Sequence, residues 1–131
     1  MIVLDSSAAV DFLLGYDAAA WVENELLGAD RIHAPHLLDV EVVGGLRKQV
    51  QARLIRSRRA DEAMSDYEDL LVRRYSHRPL LGRMWQLRDN VSSSDAAFVA
   101  LAEMLRLPLV TTDLRLGRTP GLKIEIRTPN V

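Results

Sequence analysis

The sequence predicts a single α/β domain over residues 1–131, with a short, mostly parallel sheet of about five strands flanked by helices. Short apolar runs alternate with helical patterns along the whole chain, which is typical of a parallel sheet covered on both faces. The length suits one domain with a substantial core. No internal repeat, low-complexity tract or Pro/Gly-rich linker divides the chain, so we expect no second domain.

The first part of the chain predicts two strands and three helices. They are a buried strand at 2–4, a helix from Ser6 or Ser7 to Leu14, a helix from Asp17 to Gly28, a strand at 31–34 and a helix around 38–46. Gly15 and Gly28 are expected to end the first two helices. Gly44 and Gly45 each lower the intrinsic stability of the third helix by about 1 kcal/mol, so we expect another backbone to pack closely against it.

Apolar spacing of three and four residues predicts a long amphipathic helix in the middle of the chain. The expected elements from there are a helix at 58–75, a strand at 78–80, a helix around 84–88, a helix at 96–106, a buried strand at 109–112 and an edge strand at 122–126. The last strand alternates apolar and charged residues, as a half-exposed strand does.

Four acids are candidates for a shared site, and two of them directly follow predicted strands. Asp5 ends the strand MIVLD, Asp113 closes LPLVTTD, Asp95 opens a helix, and Glu41 lies within one. Each aspartate alone is equally compatible with a helix cap. In an open parallel sheet, however, the carboxyl ends of the strands border one crevice. Carboxylates gathered there repel one another unless a cation neutralises them, so the sequence predicts a magnesium site.

Hydroxyl groups accompany these acids. Ser7, Ser94 and Thr112 are candidates to orient a carboxylate or to bind water around the metal. Serine and threonine are also common at helix starts, so a purely structural role stays open. The three histidines have no metal-ligand spacing relative to one another.

Basic residues are segregated along the chain although the net charge is only −1. Fifteen of the seventeen are arginine, which suits bidentate contacts with phosphate. We select Arg47, Arg53, Arg56 and Arg115 as candidate RNA-binding residues. The alternative for any one cluster is a solvated helix face.

Bulk composition excludes several classes. There is no cysteine, hence no disulfide framework and no thiolate chemistry. The apolar opening lacks a basic leader segment and is interrupted by Asp5 and Asp11, and no run approaches the ~18 apolar residues of a membrane span. We therefore expect a cytoplasmic protein without a membrane segment.

The four acids lie in segments that resemble a known family. MIVLDSSAAVDFLL, APHLLDVEVVGGLRK and SSSDAAFVALAEMLRLPLVTTDLRL together are similar to a PIN-domain ribonuclease of the VapC toxin type. The resemblance covers essentially the whole chain and implies an α/β/α sandwich. In that family the acidic site falls on Asp5, Glu41, Asp95 and Asp113, with a small polar residue at Ser7.

This resemblance implies a Mg²⁺-dependent endoribonuclease, with Mn²⁺ as a possible substitute, acting as the toxin of a toxin–antitoxin pair. Asp5, Asp95 and Asp113 would be metal ligands, and Glu41 would hold the attacking water or act as its base. The implied substrate is structured RNA such as a tRNA or rRNA loop. The implied partners are a VapB-type antitoxin, which alone would contact DNA, and a second copy of the chain.

Two other functions stay open at this point. One is a housekeeping PIN nuclease of RNA processing, which has no antitoxin. The other is a catalytically silent PIN module that only binds RNA or protein, although the presence of all four acids disfavours it.

Overall fold

The computed structural model describes residues 1–129. Within them, five parallel strands form one sheet in the order β3-β2-β1-β4-β5. The strands are β1 (Ile2–Leu4), β2 (Ile32–Pro35), β3 (Val72–Tyr75), β4 (Leu109–Val110) and β5 (Ile126–Arg127). The predicted α/β class and parallel sheet are confirmed.

Six α-helices connect and cover these strands in the same part of the chain. They are α1 (Ser6–Leu14), α2 (Ala19–Leu27), α3 (Leu37–Gln51), α4 (Ser57–Asp69), α5 (Leu81–Gln86) and α6 (Ser93–Leu105). None of the helices within residues 1–129 is long and apolar enough to span a bilayer.

The centre of the core lies between β1 and α6. All three residues of β1 are buried, and so is every residue of α6 from 96 to 102. The alanines of α6 let the helix lie close to the sheet, while Phe98 and Leu101 fill the space on either side. Because β1 is the middle strand and α6 packs on it, the groups at their ends are held in fixed relative positions.

The boundaries of the first helices follow local chemistry. Gly15 ends α1 with φ of 67°, a left-handed conformation that glycine adopts without steric cost. Gly28 ends α2, as predicted. Asp5 rather than Ser6 or Ser7 precedes α1, and α2 begins at Ala19 without a capping bond from Asp17.

The middle of the chain departs most from the prediction. The helix expected at 58–75 ends at Asp69, and Val72–Tyr75 forms β3. The strand expected at 78–80 is instead a short 3₁₀ turn, Arg78–Leu80. The apolar residues of 70–75 continue the helical spacing by chance. Pairing with β2 over four residues nevertheless gives Val72–Tyr75 a strand conformation.

The two neighbouring glycines of α3 differ from each other. A methyl group at Gly45 would lie 2.9 Å from Cγ2 of Val10 on α1, whereas one at Gly44 would meet nothing within 4 Å. The close packing predicted here is therefore present at Gly45 only, and the neighbour is a side chain rather than a backbone. This contact sets how closely α1 and α3 approach.

Candidate active site

The strand order defines a crevice between β1 and β4. From β1 the chain builds outward through β2 to β3, and then crosses to the other side of β1 to form β4 and β5. Such a reversal opens a cleft at the carboxyl ends of the two strands. Asp5 directly follows β1, and Asp113 lies three residues beyond the end of β4.

Asp5 lies at the bottom of this crevice. It is 3% exposed, and its Oδ2 accepts hydrogen bonds from Ser7 Oγ at 2.8 Å and from Thr111 Oγ1 at 2.7 Å. Burial raises the pKa of Asp5, the two hydroxyl groups oppose that rise, and the charge of Asp113 adds to it. The carboxylate is thus held in one orientation at an energetic cost.

Thr111 links the ends of β1 and β4 through hydrogen bonds. Its buried hydroxyl group lies 3.0 Å from Ser7 Oγ and accepts a bond from the Asp113 amide at 3.0 Å. The predicted residue, Thr112, contributes its backbone amide instead, which donates to Ser7 Oγ at 3.2 Å. The residue that reaches Asp5 is thus Thr111, the neighbour of the predicted Thr112, while Ser7 lies where it was expected.

Asp95 enters the crevice from the first turn of α6. Ser92 caps this helix, its Oγ accepting the Asp95 amide at 3.2 Å. The pKa of Asp95 is raised by its burial and by the charges of Asp5 and Asp113, so the three carboxylates share one electrostatic environment. Ser94 makes no hydrogen bond to the acids within residues 1–129, and Ser92, which the sequence analysis passed over, orients this turn.

Asp113 is the most accessible of the three aspartates to a basic partner. Its Oδ1 accepts the backbone amide of Arg115 at 3.0 Å and lies 3.4 Å from the Nε of the same residue. The Arg115 side chain is 88% exposed, so this ion pair is screened by solvent and easily exchanged. Arg115 is the one candidate RNA-binding arginine that contacts an acid of the site.

Glu41 approaches from a different direction. It projects from α3 into an open groove of about 450 Å³. The groove is also lined by Ser6, Ser7, Val10, Asp11, Val40, Gly44, Gly45, Lys48 and Gln49. Among the residues that the structure describes, no hydrogen bond or ion pair holds the Glu41 carboxylate.

The helix under Glu41 is nevertheless firmly anchored. Asp39 accepts two bonds from Arg74 on β3 at 2.8 and 2.9 Å, and one from the Tyr67 hydroxyl group on α4 at 2.5 Å. Hydrogen bonding from Arg74 lowers the pKa of Asp39. Asp39 is therefore structural, and it fixes α3 against the sheet and α4.

The other candidate RNA-binding residues lie away from the acids. Arg47 is exposed in the second half of α3, and Arg53 and Arg56 are exposed in the connection to α4. Arg53 adopts φ of 58°, the left-handed conformation that closes the turn after α3. The structure leaves all three free to reach solvent without bringing them to the crevice.

The donor set suits a hard divalent cation. Burial and the charge of Asp113 raise the pKa of both Asp5 and Asp95, and a cation bound among the three carboxylates would relieve this repulsion. Within residues 1–129, no three acidic or imidazole groups are already close enough to enclose an ion. Mg²⁺ does not need such a cage, since it keeps several waters and is bound through one or two carboxylates together with substrate phosphate.

This fold and acidic crevice define a PIN domain. Residues 2–122 match the PIN domain family. A solved structure, VapBC2 from Rickettsia felis bound to a DNA fragment from their promoter, superposes with a TM-score of 0.62 over 96% of this chain and 98% of the other. Because the two sequences are 17% identical, this likeness concerns the fold.

Two relatives with higher sequence identity indicate the type of PIN domain. The chain is 44% identical to Ribonuclease VapC1 of Mycobacterium tuberculosis over 95% of both proteins. It is 42% identical to Ribonuclease VapC12 of the same species, over 96% of this chain and 97% of that one. The chain therefore belongs to the PIN-domain family and, within it, to the VapC type, as the sequence motifs indicated.

Proposed function

We propose that this protein is a metal-dependent endoribonuclease that acts as the toxin of a VapBC-type module. The observation that carries the proposal is the position of Asp5, Asp95 and Asp113 at the crevice between β1 and β4, where burial and neighbouring carboxylates raise the pKa of Asp5 and of Asp95. The names of the relatives support ribonuclease activity, and the name of the structural neighbour supports an antitoxin partner.

Asp5, Asp95 and Asp113 would hold Mg²⁺, and Mn²⁺ would substitute because it accepts the same oxygen ligands. The bound ion would stabilise the negative charge that develops on the phosphodiester during in-line attack by water. The number of ions stays open between one and two.

The protein side chains have distinct parts in this reaction. Ser7 and Thr111 fix the orientation of Asp5, and Ser92 fixes the first turn of α6 beneath Asp95. Glu41, which no neighbour within residues 1–129 restrains, is free to accept a proton from the attacking water. Attack by water leaves a 5′-phosphate on one product and a 3′-hydroxyl group on the other.

The substrate would be a single-stranded region of a structured RNA, such as a tRNA or rRNA loop, because its bases can be splayed out. Arg115 beside Asp113, and the exposed Arg47, Arg53 and Arg56, would contact its backbone. Binding should then weaken steeply with added salt. We expect the protein to act in the cytoplasm, where these RNAs are found.

Two protein partners belong to the proposal. A VapB-type antitoxin would neutralise the enzyme and would supply any contact with DNA, and a second copy of the chain would complete a homodimer. Most large apolar side chains of α1 and α2 belong to the core. Leu13 and Val22 are buried, and Phe12, Trp21 and Leu26 pack against buried neighbours.

Cleavage of total RNA by the purified protein tests the proposal. The wild type is compared with Asp5→Asn and Asp95→Asn in Mg²⁺, in Mn²⁺ and in EDTA, and the cut ends are mapped by sequencing. We expect discrete, metal-dependent cuts with 5′-phosphate ends that both substitutions abolish. Products ending in a 2′,3′-cyclic phosphate, or cuts that persist in both variants, would contradict it.

The toxin role needs a separate experiment. Induced expression in a bacterial host should arrest growth, and co-expression of the small protein encoded beside the gene should restore it. Growth arrest that persists in the Asp5→Asn variant would argue against RNA cleavage as its cause. Cleavage without any growth defect would favour a housekeeping nuclease.

A further inference from the structure

An indole ring on α5 is exposed without a packing role. Trp85 is 69% exposed, and Leu81, one turn earlier on the same helix, is 52% exposed. The chain has only two tryptophans, and the other, Trp21, packs against the core. Tryptophan combines a large apolar face with a polar N–H group, and it is enriched at binding interfaces.

The guanidinium group of Arg88 lies over the Trp85 ring. The Arg88 Cζ atom lies 4.5 Å from the Trp85 ring centroid, and Arg88 Nη1 donates to the Trp85 carbonyl oxygen at 2.9 Å. Within residues 1–129 no carboxylate oxygen lies within 4.0 Å of the nitrogens of Arg88. The arginine is therefore held in place by the ring while its charge is left for an anionic ligand.

The ring borders a groove at the start of α6, the helix that carries Asp95. The groove encloses about 340 Å³ and is lined by Leu81, Met84, Trp85, Arg88, Val91, Ser92 and Ser93. Ser92 also caps α6 and accepts the amide of Asp95. One wall of the groove is thus the helix start that carries a catalytic carboxylate, since α6 rises only about 1.5 Å per residue from Ser93 to Asp95.

We propose that Trp85 and Arg88 form a stacking site for a nucleobase of the single-stranded RNA next to the bond that is cut. The inference rests on the ribonuclease function proposed above and adds a specific contact with the substrate. Every base offers a π face to an aromatic ring, and the guanidinium group both stacks on bases and attracts phosphate. The site would hold the strand across the crevice with little dependence on base identity.

Charge favours RNA over an apolar protein partner on this surface. The groove combines one aromatic face, two exposed serine hydroxyl groups and an arginine that makes no ion pair within residues 1–129. An apolar helix from a partner would have to bury that arginine against carbon, at a considerable desolvation cost. A nucleotide supplies both a flat ring and a negative charge.

Tryptophan fluorescence tests the proposal directly. In a Trp21→Phe background, Trp85 is the sole tryptophan and reports on its own surroundings. The probes are a single-stranded oligoadenylate, an oligouridylate and an abasic ribose-phosphate oligomer of equal length, titrated in EDTA so that no cleavage occurs. We expect both base-bearing probes to quench Trp85, and the abasic probe to quench it weakly or not at all.

Variants identify the contribution of each group. Trp85→Ala should weaken binding of the base-bearing probes roughly 5- to 100-fold, Trp85→Phe should retain most of the affinity, and Arg88→Gln should lower the salt dependence. Leu71→Ala, a substitution at a residue 89% exposed at the start of β3, serves as the matched control and should have no effect. In cleavage, Trp85→Ala should raise KM and leave kcat nearly unchanged.

The outcomes separate this proposal from the ribonuclease function. If the wild type cleaves RNA and Trp85→Ala matches it in binding and KM, the stacking site is wrong and the nuclease stands. If the protein cleaves nothing but Trp85 is still quenched by bases, the stacking site stands and the nuclease is wrong. A change of oligomeric mass in Trp85→Ala with unchanged RNA affinity would assign the surface to a contact between copies and overturn the proposal.

Discussion

The two sides of the catalytic crevice are built differently. On one side, Asp5 is 3% exposed and two hydroxyl groups donate to the same carboxylate oxygen. On the other side, Glu41 projects from α3 into an open groove, and within residues 1–129 nothing is bonded to its carboxylate. A group that binds a cation benefits from fixed geometry, whereas a group that takes a proton from a moving water benefits from freedom.

Asp5→Asn should have the largest effect of any single substitution on the fixed side. Asparagine keeps the shape and an acceptor for both hydroxyl groups but removes the charge, so kcat should fall on the order of 10³-fold. Single-turnover cleavage in Mg²⁺ measures this loss. Retention of more than about a tenth of the activity would show that Asp5 is not a ligand.

The same variant should be more stable than the wild type in EDTA. Burial raises the pKa of Asp5 above its ordinary 3.8, so the folded form binds the proton more tightly than the unfolded chain. The free energy of unfolding therefore falls as pH rises from the unfolded pKa of 3.8 through the higher pKa of the folded protein. Asp5→Asn has no carboxyl group at this position and avoids this loss. Thermal unfolding from about pH 3 to pH 7, with and without Mg²⁺, checks both the sign and the expected stabilisation of the wild type by metal.

Glu41→Gln tests the side of the site on which no hydrogen bond within residues 1–129 holds the carboxylate. Loss of a general base should lower kcat about 10²-fold, while the free energy of unfolding should change by less than about 0.5 kcal/mol because no bond is removed. Asp11→Asn, in the same groove, is the matched control and should preserve kcat. A large change in stability together with unchanged kcat would reverse the assignment of Glu41.

Thr111→Val should affect stability and activity together. The substitution removes a donor to Asp5 and leaves the Asp113 amide without its acceptor, at a cost of about 1–3 kcal/mol. Activity should fall roughly 10-fold as Asp5 loses its orientation. Thr112→Val keeps the backbone amide that bonds Ser7 and should be nearly neutral in urea unfolding and in kcat; equal effects of the two variants would contradict this account.

Gly45→Ala should produce the smallest loss of activity, because it alters the width of the groove into which Glu41 projects. A methyl group 2.9 Å from the stiff Val10 side chain forces α1 and α3 apart, which outweighs the gain of about 1 kcal/mol in helix propensity. We expect a modest loss of stability and a few-fold loss of kcat as Glu41 shifts. Gly44→Ala meets no neighbour and should instead stabilise by about 0.5–1 kcal/mol with kcat unchanged.

Sequence patterns predicted the parts of the fold that depend on burial alone. β1 and β4 are fully apolar and α6 is buried from 96 to 102, so the positions of these elements and the aspartates beside them were predictable. β3 was not, because an edge strand with only four partners has a weak pattern, and Val72 and Tyr75 also fit the preceding helical period. Its conformation is decided by β2, which is distant in sequence.

Neighbouring hydroxyl groups were harder to assign than the acids. Thr111 and Thr112 are adjacent and chemically identical, and only the pairing of β4 with β1 decides which one faces Asp5. Ser92, Ser93 and Ser94 pose the same problem, since the cap depends on the residue at which α6 begins. The positions of Asp5, Asp95 and Asp113 at one crevice were therefore accessible from the sequence, while contacts that depend on a single residue of register were not.

The bond between Thr111 and Asp5 spans 106 residues, and that separation has a consequence for synthesis of the chain. A ribosome releases β1 first, yet the strand lacks one of its two neighbours until β4 has been made. A nascent chain that ends before β4 carries Asp5 without the Thr111 hydroxyl group that orients it and without Asp113. The proposed metal site is therefore assembled only after the last of its carboxylates has been synthesised.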